Sequence, residues 1–160
     1  MERKILLFDN PLLRKKCKPV RSITSEIQKI VKDMAETMYE NNGVGLAAIQ
    51  IGELLRIILV DVSESRDQLI VLFNPQIIEH SEKVTGLEAC LSVPKLEGKV
   101  TRYKKVVIKA KDYFFNDVEI EAEDYLARAF QHEIDHLDGK IYTDKVIKGT
   151  LQPVEKTKDY

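Results

Sequence analysis

The chain of 160 residues is short of several things, and each shortage narrows what it can be. It has no tryptophan and only two cysteines, Cys17 and Cys90. Two thiols cannot build the disulfide framework of a small secreted domain. No stretch reads as a secretory signal, which points to a cytoplasmic protein with reduced thiols. Long apolar runs are missing too. Near the N-terminus the longest, Ile5 to Phe8, falls far short of the roughly 20 residues that span a bilayer. Charge of one sign is lacking: 25 Lys and Arg against 26 Asp and Glu leave a net −1. Nothing electrostatic therefore calls for nucleic acid or an anionic membrane. There are no internal repeats and no low-complexity tract. What remains, 44% hydrophobic and 32% charged residues, is the profile of a globular domain. The length suits a single domain over residues 1–160 with a real core.

Taken in order, residues 1–22 read as irregular, with a turn at Asp9-Asn10-Pro11 and Lys18-Pro19 blocking helix. Cys17, among Arg14, Lys15, Lys16 and Lys18, reads as an incidental surface thiol. A helix follows. Ser25 and Gln28 fit a capping box, and Ile27, Ile30, Val31, Met34 and Met38 recur at helical spacing. The methionines read as core filler. The helix is expected to end at Asn41-Asn42-Gly43. Residues 55–61 and 69–73 read as buried strands, the second ended by Asn74-Pro75. Residues 76–84, 100–110 and 118–121 read as further extended segments. The polar tail 145–160, broken by Gly149 and Pro153, is expected to carry little packed structure.

Histidine is also scarce, with three in the chain. Two of them fall in Gln131-His132-Glu133-Ile134-Asp135-His136-Leu137-Asp138-Gly139. The preceding residues 123–130 are good helix formers, and Gly139 stands where a left-handed cap is expected. On a helix, residues four apart share a face about 6 Å apart along the axis, so His132 and His136 can converge on one metal ion. Glu133 is then placed to take a proton from a water activated by the metal. A catalytic centre of this type generally needs a third protein ligand. The extended zinc-peptidase pattern requires histidine where Tyr142 stands, and a downstream glutamate ligand leaves only Glu155. Upstream, Glu88-Ala89-Cys90-Leu91-Ser92 offers a thiolate, although a cysteine in such a segment can also be a small core residue. Gly43-Val44-Gly45 lacks the third glycine and the Lys-Ser/Thr pair of a phosphate loop. Its small residues suit a backbone that another chain approaches closely.

Three segments together carry more than any one of them. Gly43-Val44-Gly45-Leu46-Ala47-Ala48-Ile49-Gln50, Glu88-Ala89-Cys90-Leu91-Ser92 and Gln131-His132-Glu133-Ile134-Asp135-His136-Leu137 resemble, in order and spacing, the three signature motifs of peptide deformylases. The resemblance implies an α+β fold, with mostly antiparallel sheets packed around a central helix that carries the metal motif. It implies a metal-dependent hydrolase that removes the N-formyl group from the formylmethionine of newly made polypeptides. Cys90, His132 and His136 would be the ligands of one divalent metal, Fe2+, with Zn2+, Ni2+ or Co2+ as substitutes. Glu133 would be the base. The Gln50 side-chain amide and the Leu91 backbone N–H would stabilise the oxyanion. The peptide would lie extended between Val44 and Gly45 on one side and Glu88 and Ala89 on the other. Its methionine would enter a pocket near Val44, Ala129 and His132, with a Glu88–Arg102 ion pair behind the site.

The partners implied are N-formylmethionyl nascent peptides, with transient ribosome association and neither nucleic acid nor membrane recognition. One position departs from the family pattern: Ala89 stands where glycine is usual, a change that would strain the backbone only if φ were positive there. Two other readings remain. A zinc peptidase is disfavoured by Tyr142. A non-catalytic, metal-stapled binding module would need Cys17 or His80 as a fourth ligand and would leave Glu133 and Gln50 without a role.

Overall fold

A computed structural model describes residues 1–154, so Glu155 and the end of the expected tail lie outside the described residues. The element order is α1 (Ser25–Glu40), β1 (Gly45–Ala47), β2 (Ile57–Val60), β3 (Ile70–Cys90), β4 (Val93–Lys111), β5 (Asp117–Glu123), α2 (Asp124–Leu137) and β6 (Gln152–Pro153). Each strand from β1 to β5 pairs antiparallel with the next, and β6 pairs with β4. The expected α+β architecture, with antiparallel sheet around the motif-bearing helix, is what forms.

The apolar run of β2 follows from its place between two helices. Side chains on a strand alternate between faces. Ile57 and Leu59 join the core cluster that holds Ile30, Val31, Met34 and Met38 of α1. Ile58 and Val60 join the other cluster, with Ala127, Phe130, Ile134 and Leu137 of α2. Leu46 and Ala47 on β1 divide in the same way. A strand covered on both faces has no polar side, so all four residues of β2 are buried.

Several boundaries differ from expectation, each for a local reason. The N-cap of α1 is Thr24, one residue before the Ser25–Gln28 pairing. Its backbone is extended, and its hydroxyl accepts the Ile27 N–H at 3.1 Å. Asn74-Pro75 does not end a strand. The 21-residue β3 runs straight through it, because register shifts between Phe73 and Gln76 and between Ile77 and Glu79 absorb the interruption. At such bulges the ladder lapses, so a proline without an N–H and an asparagine with φ of 53° are tolerated. The Asn74 side chain instead bonds the Val20 N–H and C=O, each at 2.8 Å. β4 starts at Val93, earlier than expected, because Cys90 pairs with Val93 across the Leu91-Ser92 turn.

The tail to Val154 is more packed than its composition predicts. Val146 bridges to Val100, and β6 pairs Pro153 with Leu96 and Gln152 with Glu97. Nor is residues 1–22 wholly irregular: Pro11–Arg14 form a short 3-10 turn that buries Leu13. No helix among the described residues is long and apolar enough to cross a membrane.

Candidate active site

Helix α2 packs against β1, β2, β4 and β5. Arg128, His132 and His136, four residues apart in turn, form one buried stripe along it. Cys90 is the last residue of β3 and reaches the same place from the sheet. The ligand atoms of Cys90, His132 and His136 all lie within 4.8 Å of one another. Cys90 Sγ is 3.4 Å from His136 Nε2. His132 Nδ1 contacts Glu88 Oε1 at 2.8 Å, which leaves Nε2 for ligation.

One thiolate and two imidazoles are a fitting donor set for a single divalent transition metal. Burial, and then the charge on His132, hold His136 well below its ordinary pKa and so neutral, as a ligand must be. At His132 burial works against the charge, but hydrogen bonds to Cys90 and Glu88 outweigh it and raise the pKa.

Glu88 organises the ground behind the ligands. Arg102 grips it through two bonds of 2.8 Å, Nε to Oε2 and Nη2 to Oε1. Arg102 also donates to Asp135 at 2.6 Å. The pair is buried, not the solvated one that charged residues form by default. Burial pushes the Glu88 carboxyl up, yet the hydrogen bonds from Arg102 and His132 hold it well below the usual carboxylate range. The Glu88 carboxylate is thus committed to His132 and to arginine, although the residue lines the cleft.

Glu133 is 5% exposed, and its Oε1 has no protein partner among the described residues. Burial pushes its pKa up to about 7, against the pull of His132. A Cβ at position 45 would stand 2.5 Å from Glu133 Oε2, so only glycine lets this carboxylate lie beside β1. Gln50 is 1% exposed, which excludes a surface amide. Its Oε1 accepts the Ala47 N–H at 2.9 Å, and its Nε2 donates to Ser92 Oγ at 3.0 Å and toward Cys90 Sγ at 3.5 Å. Of the expected site residues, all but His136 line one cleft: Val44, Gly45, Gln50, Glu88, Ala89, Cys90, Leu91, His132 and Glu133. Ala89 sits where the β3–β4 register shifts and has no positive φ, so its methyl group causes no backbone strain.

The spare candidates lie elsewhere. Cys17 is buried, contrary to the surface reading, and its N–H donates to Leu137 O at 2.8 Å. Burial pushes its thiol up to about 11, so the neighbouring cations do not activate it. His80 stacks on Tyr103 with ring centroids 3.8 Å apart. Tyr142 lies 5.9 Å from the His132 ring and packs rather than ligates.

Three residues beside the site received no role from the sequence, although Gln131 and Ser92 stand inside its motifs. Arg128 could have been found, since it stands one helical turn before His132 on the same face. Gln131, whose amide bonds the Tyr103 N–H at 2.9 Å and C=O at 2.8 Å, left no such signal. Neither did Ser92, which meets Gln50 only through the fold.

The sequence profile of the family described as Polypeptide deformylase matches residues 2–152. The chain is 48% identical over 155 residues to a peptide deformylase of Finegoldia magna, covering 96% of this chain and 95% of that one. It superposes on the crystal structure of a peptide deformylase from Legionella pneumophila with a TM-score of 0.89 and 41% identity, covering 92% of this chain and 88% of that one. For the Ehrlichia chaffeensis peptide deformylase, solved in complex with actinonin, the TM-score is 0.87 at 35% identity, covering 92% and 90% of the two chains.

Proposed function

Since the chain belongs to the polypeptide deformylase family, we propose that Cys90, His132 and His136 hold its metal and that Glu133 moves the proton. The enzyme is a metal-dependent hydrolase that removes the N-formyl group from nascent polypeptides. Membership of the family points to Fe2+ as the resident ion, and a thiolate with two imidazoles equally suits Zn2+, Ni2+ or Co2+ as substitutes. When bound, the metal supplies Lewis-acid activation of the attacking water and of the formyl oxygen.

Glu133 takes the proton that water releases on attacking the formyl carbon. It delivers that proton to the peptide nitrogen as the C–N bond breaks, leaving formate and a free amine. Its unpartnered Oε1, buried beside the ligand cluster, supports this role. Gln50 Nε2 and the Leu91 backbone N–H donate to the formyl oxygen as charge grows there. The peptide lies extended along β1, an edge strand, at Val44 and Gly45. The register shift at Glu88 and Ala89 faces it from the other side, so the substrate adds a strand. The methionine side chain fills the pocket beside Val44, Ala129 and His132. The chain acts as one catalytic domain in the cytoplasm, meeting the ribosome only in passing, as a nascent-chain substrate requires.

The observation that carries this reading is the convergence of Cys90, His132 and His136 within 4.8 Å. The test is metal analysis of anaerobically purified protein together with turnover of formyl-Met-Ala-Ser. Glu133→Ala is expected to keep its metal and lose deformylation, because ligation and proton transfer belong to different residues. Metal content falling as far as activity would overturn that division.

A further inference from the structure

Hydrolysis as described gives no task to Arg128, although this residue lines the cleft beside His132 and Glu133. Its neighbours in that lining include the apolar side chains of Val44, Leu87, Leu91, Tyr125 and Ala129. A guanidinium is costly to bury without partners, and Arg128 is 8% exposed. Its Nη1 donates to Glu88 Oε2 at 2.7 Å and to Val100 O at 2.9 Å. Its Nη2 donates to Val84 O at 2.9 Å. An arginine carries five N–H donors. These three bonds leave the Nε hydrogen and one Nη2 hydrogen without a partner among the described residues. The room for the group comes from Gly86, where an added Cβ would approach the guanidinium Cζ and Nη2 to 3.3 Å. Gly86 and Arg128 are therefore a matched pair, a missing side chain on β3 and a large charged one on α2.

We propose that Arg128 is a specificity-determining residue. It gives the pocket for the formylated residue's side chain a polar wall. That wall favours side chains with a hydrogen-bond acceptor, methionine and more strongly its sulfoxide, over a hydrocarbon of the same length. The inference rests on the deformylase reading for which residue enters the pocket. Its physical basis is donor capacity: a guanidinium presents its N–H donors in a fixed, planar fork. A thioether is a weak acceptor, a sulfoxide oxygen takes a charge-assisted bond, and norleucine offers nothing. A hydrogen bond to a charged group contributes enough for a preference of about tenfold or more.

The experiment uses metal-loaded wild type, Arg128→Leu and Gly86→Ala, with formyl tripeptides carrying methionine, methionine sulfoxide or norleucine first. Wild type is expected to show kcat/KM about tenfold higher for the sulfoxide than for norleucine. Arg128→Leu is expected to erase or invert that ratio. Gly86→Ala, which keeps the arginine but crowds it, narrows the ratio and carries the test if Arg128→Leu does not fold. Calorimetric binding of the deformylated tripeptides to metal-free protein gives the same ratio without turnover. Equal kcat/KM for sulfoxide and norleucine in wild type, or a ratio unmoved in both variants, overturns the proposal. A wild type inactive on all three formyl peptides would instead overturn the deformylase reading, and the calorimetric ratio would still decide the role of Arg128.

Discussion

Helices α1 and α2 are both amphipathic and both cover the same sheet, yet they handle buried polarity in opposite ways. Along α1 the buried polar residues are Asp33 and Thr37. Both have partners within the protein. Thr37 Oγ1 donates to Asp33 O at 2.7 Å and accepts the Arg3 N–H at 2.8 Å, while Asp33 is held by Arg3 at 2.9 Å and Lys29 at 3.1 Å. Along α2 five polar residues are buried: Arg128, Gln131, His132, Glu133 and His136. Glu133 Oε1 and His136 Nδ1 lack protein partners among the described residues. An unmatched buried polar atom costs about 1–3 kcal/mol. A helix that only packs has no reason to carry such atoms. α1 thus matches its buried polar groups within the fold, whereas α2 carries buried polar atoms that the described residues leave unmatched beside Cys90.

The contrast between the two helices is sharpest at Gln50, which faces Cys90 from outside α2. Gln50→Leu is expected to lower kcat about a hundredfold or more while KM stays near its original value. Glutamate there is expected to be worse, since a second negative charge would face the developing one, and metal content should hold in both variants. Unchanged kcat in both would make this polarity structural, like that of α1. On the other helix Met34 is fully buried. Met34→Ala is expected to cost about 2–5 kcal/mol in urea unfolding, with kcat per folded molecule unaltered. A fall in kcat at full stability would show that α1 shapes the site after all.

Thr24→Ala, which removes the α1 cap, is expected to cost about 1 kcal/mol. A stability equal to the parent's would mean that Ser25 or water takes over the Ile27 N–H. The smallest effect is expected at Cys17, beneath the end of α2. Its folded pKa, about 11, is raised above the ordinary thiol value of 9.0. A raised pKa means that its contribution is complete below the unfolded value and is lost as pH rises through the folded one. Stability should therefore decline between about pH 9 and 11. In Cys17→Ala that decline should be shallower, read as urea midpoints across the range. Parallel curves for the two proteins would count against a buried, neutral Cys17.

How much was legible varied with how local the cause was. The apolar spacing of Ile30, Val31, Met34 and Met38 predicted α1 and its buried face, because a helix bonds to itself. Cap and bulge chemistry was harder to read. Ser25 and Thr24 can both cap a helix, and the extended backbone at Thr24 decides between them. Asn74-Pro75 reads as a stop unless the partner strand is known to shift register around it. The Ala89 substitution could be judged harmless to the backbone only once its dihedral was seen.

By itself the sequence determined the α2 half of the site. His132, Glu133 and His136 are set relative to one another by helical geometry alone, and the three motifs carried the family. Only the tertiary structure decided what meets that half. Cys90 comes from the end of β3, Gln50 from the turn after β1, and Glu88 is held between Arg102 and Arg128. Only the fold showed that Cys17 is a core residue and that residues 146–153 dock on β4. The physical reason is range. Spacing along a chain constrains residues one turn apart, whereas contacts such as Gln50 with Ser92 exist only when sheet and helix have packed.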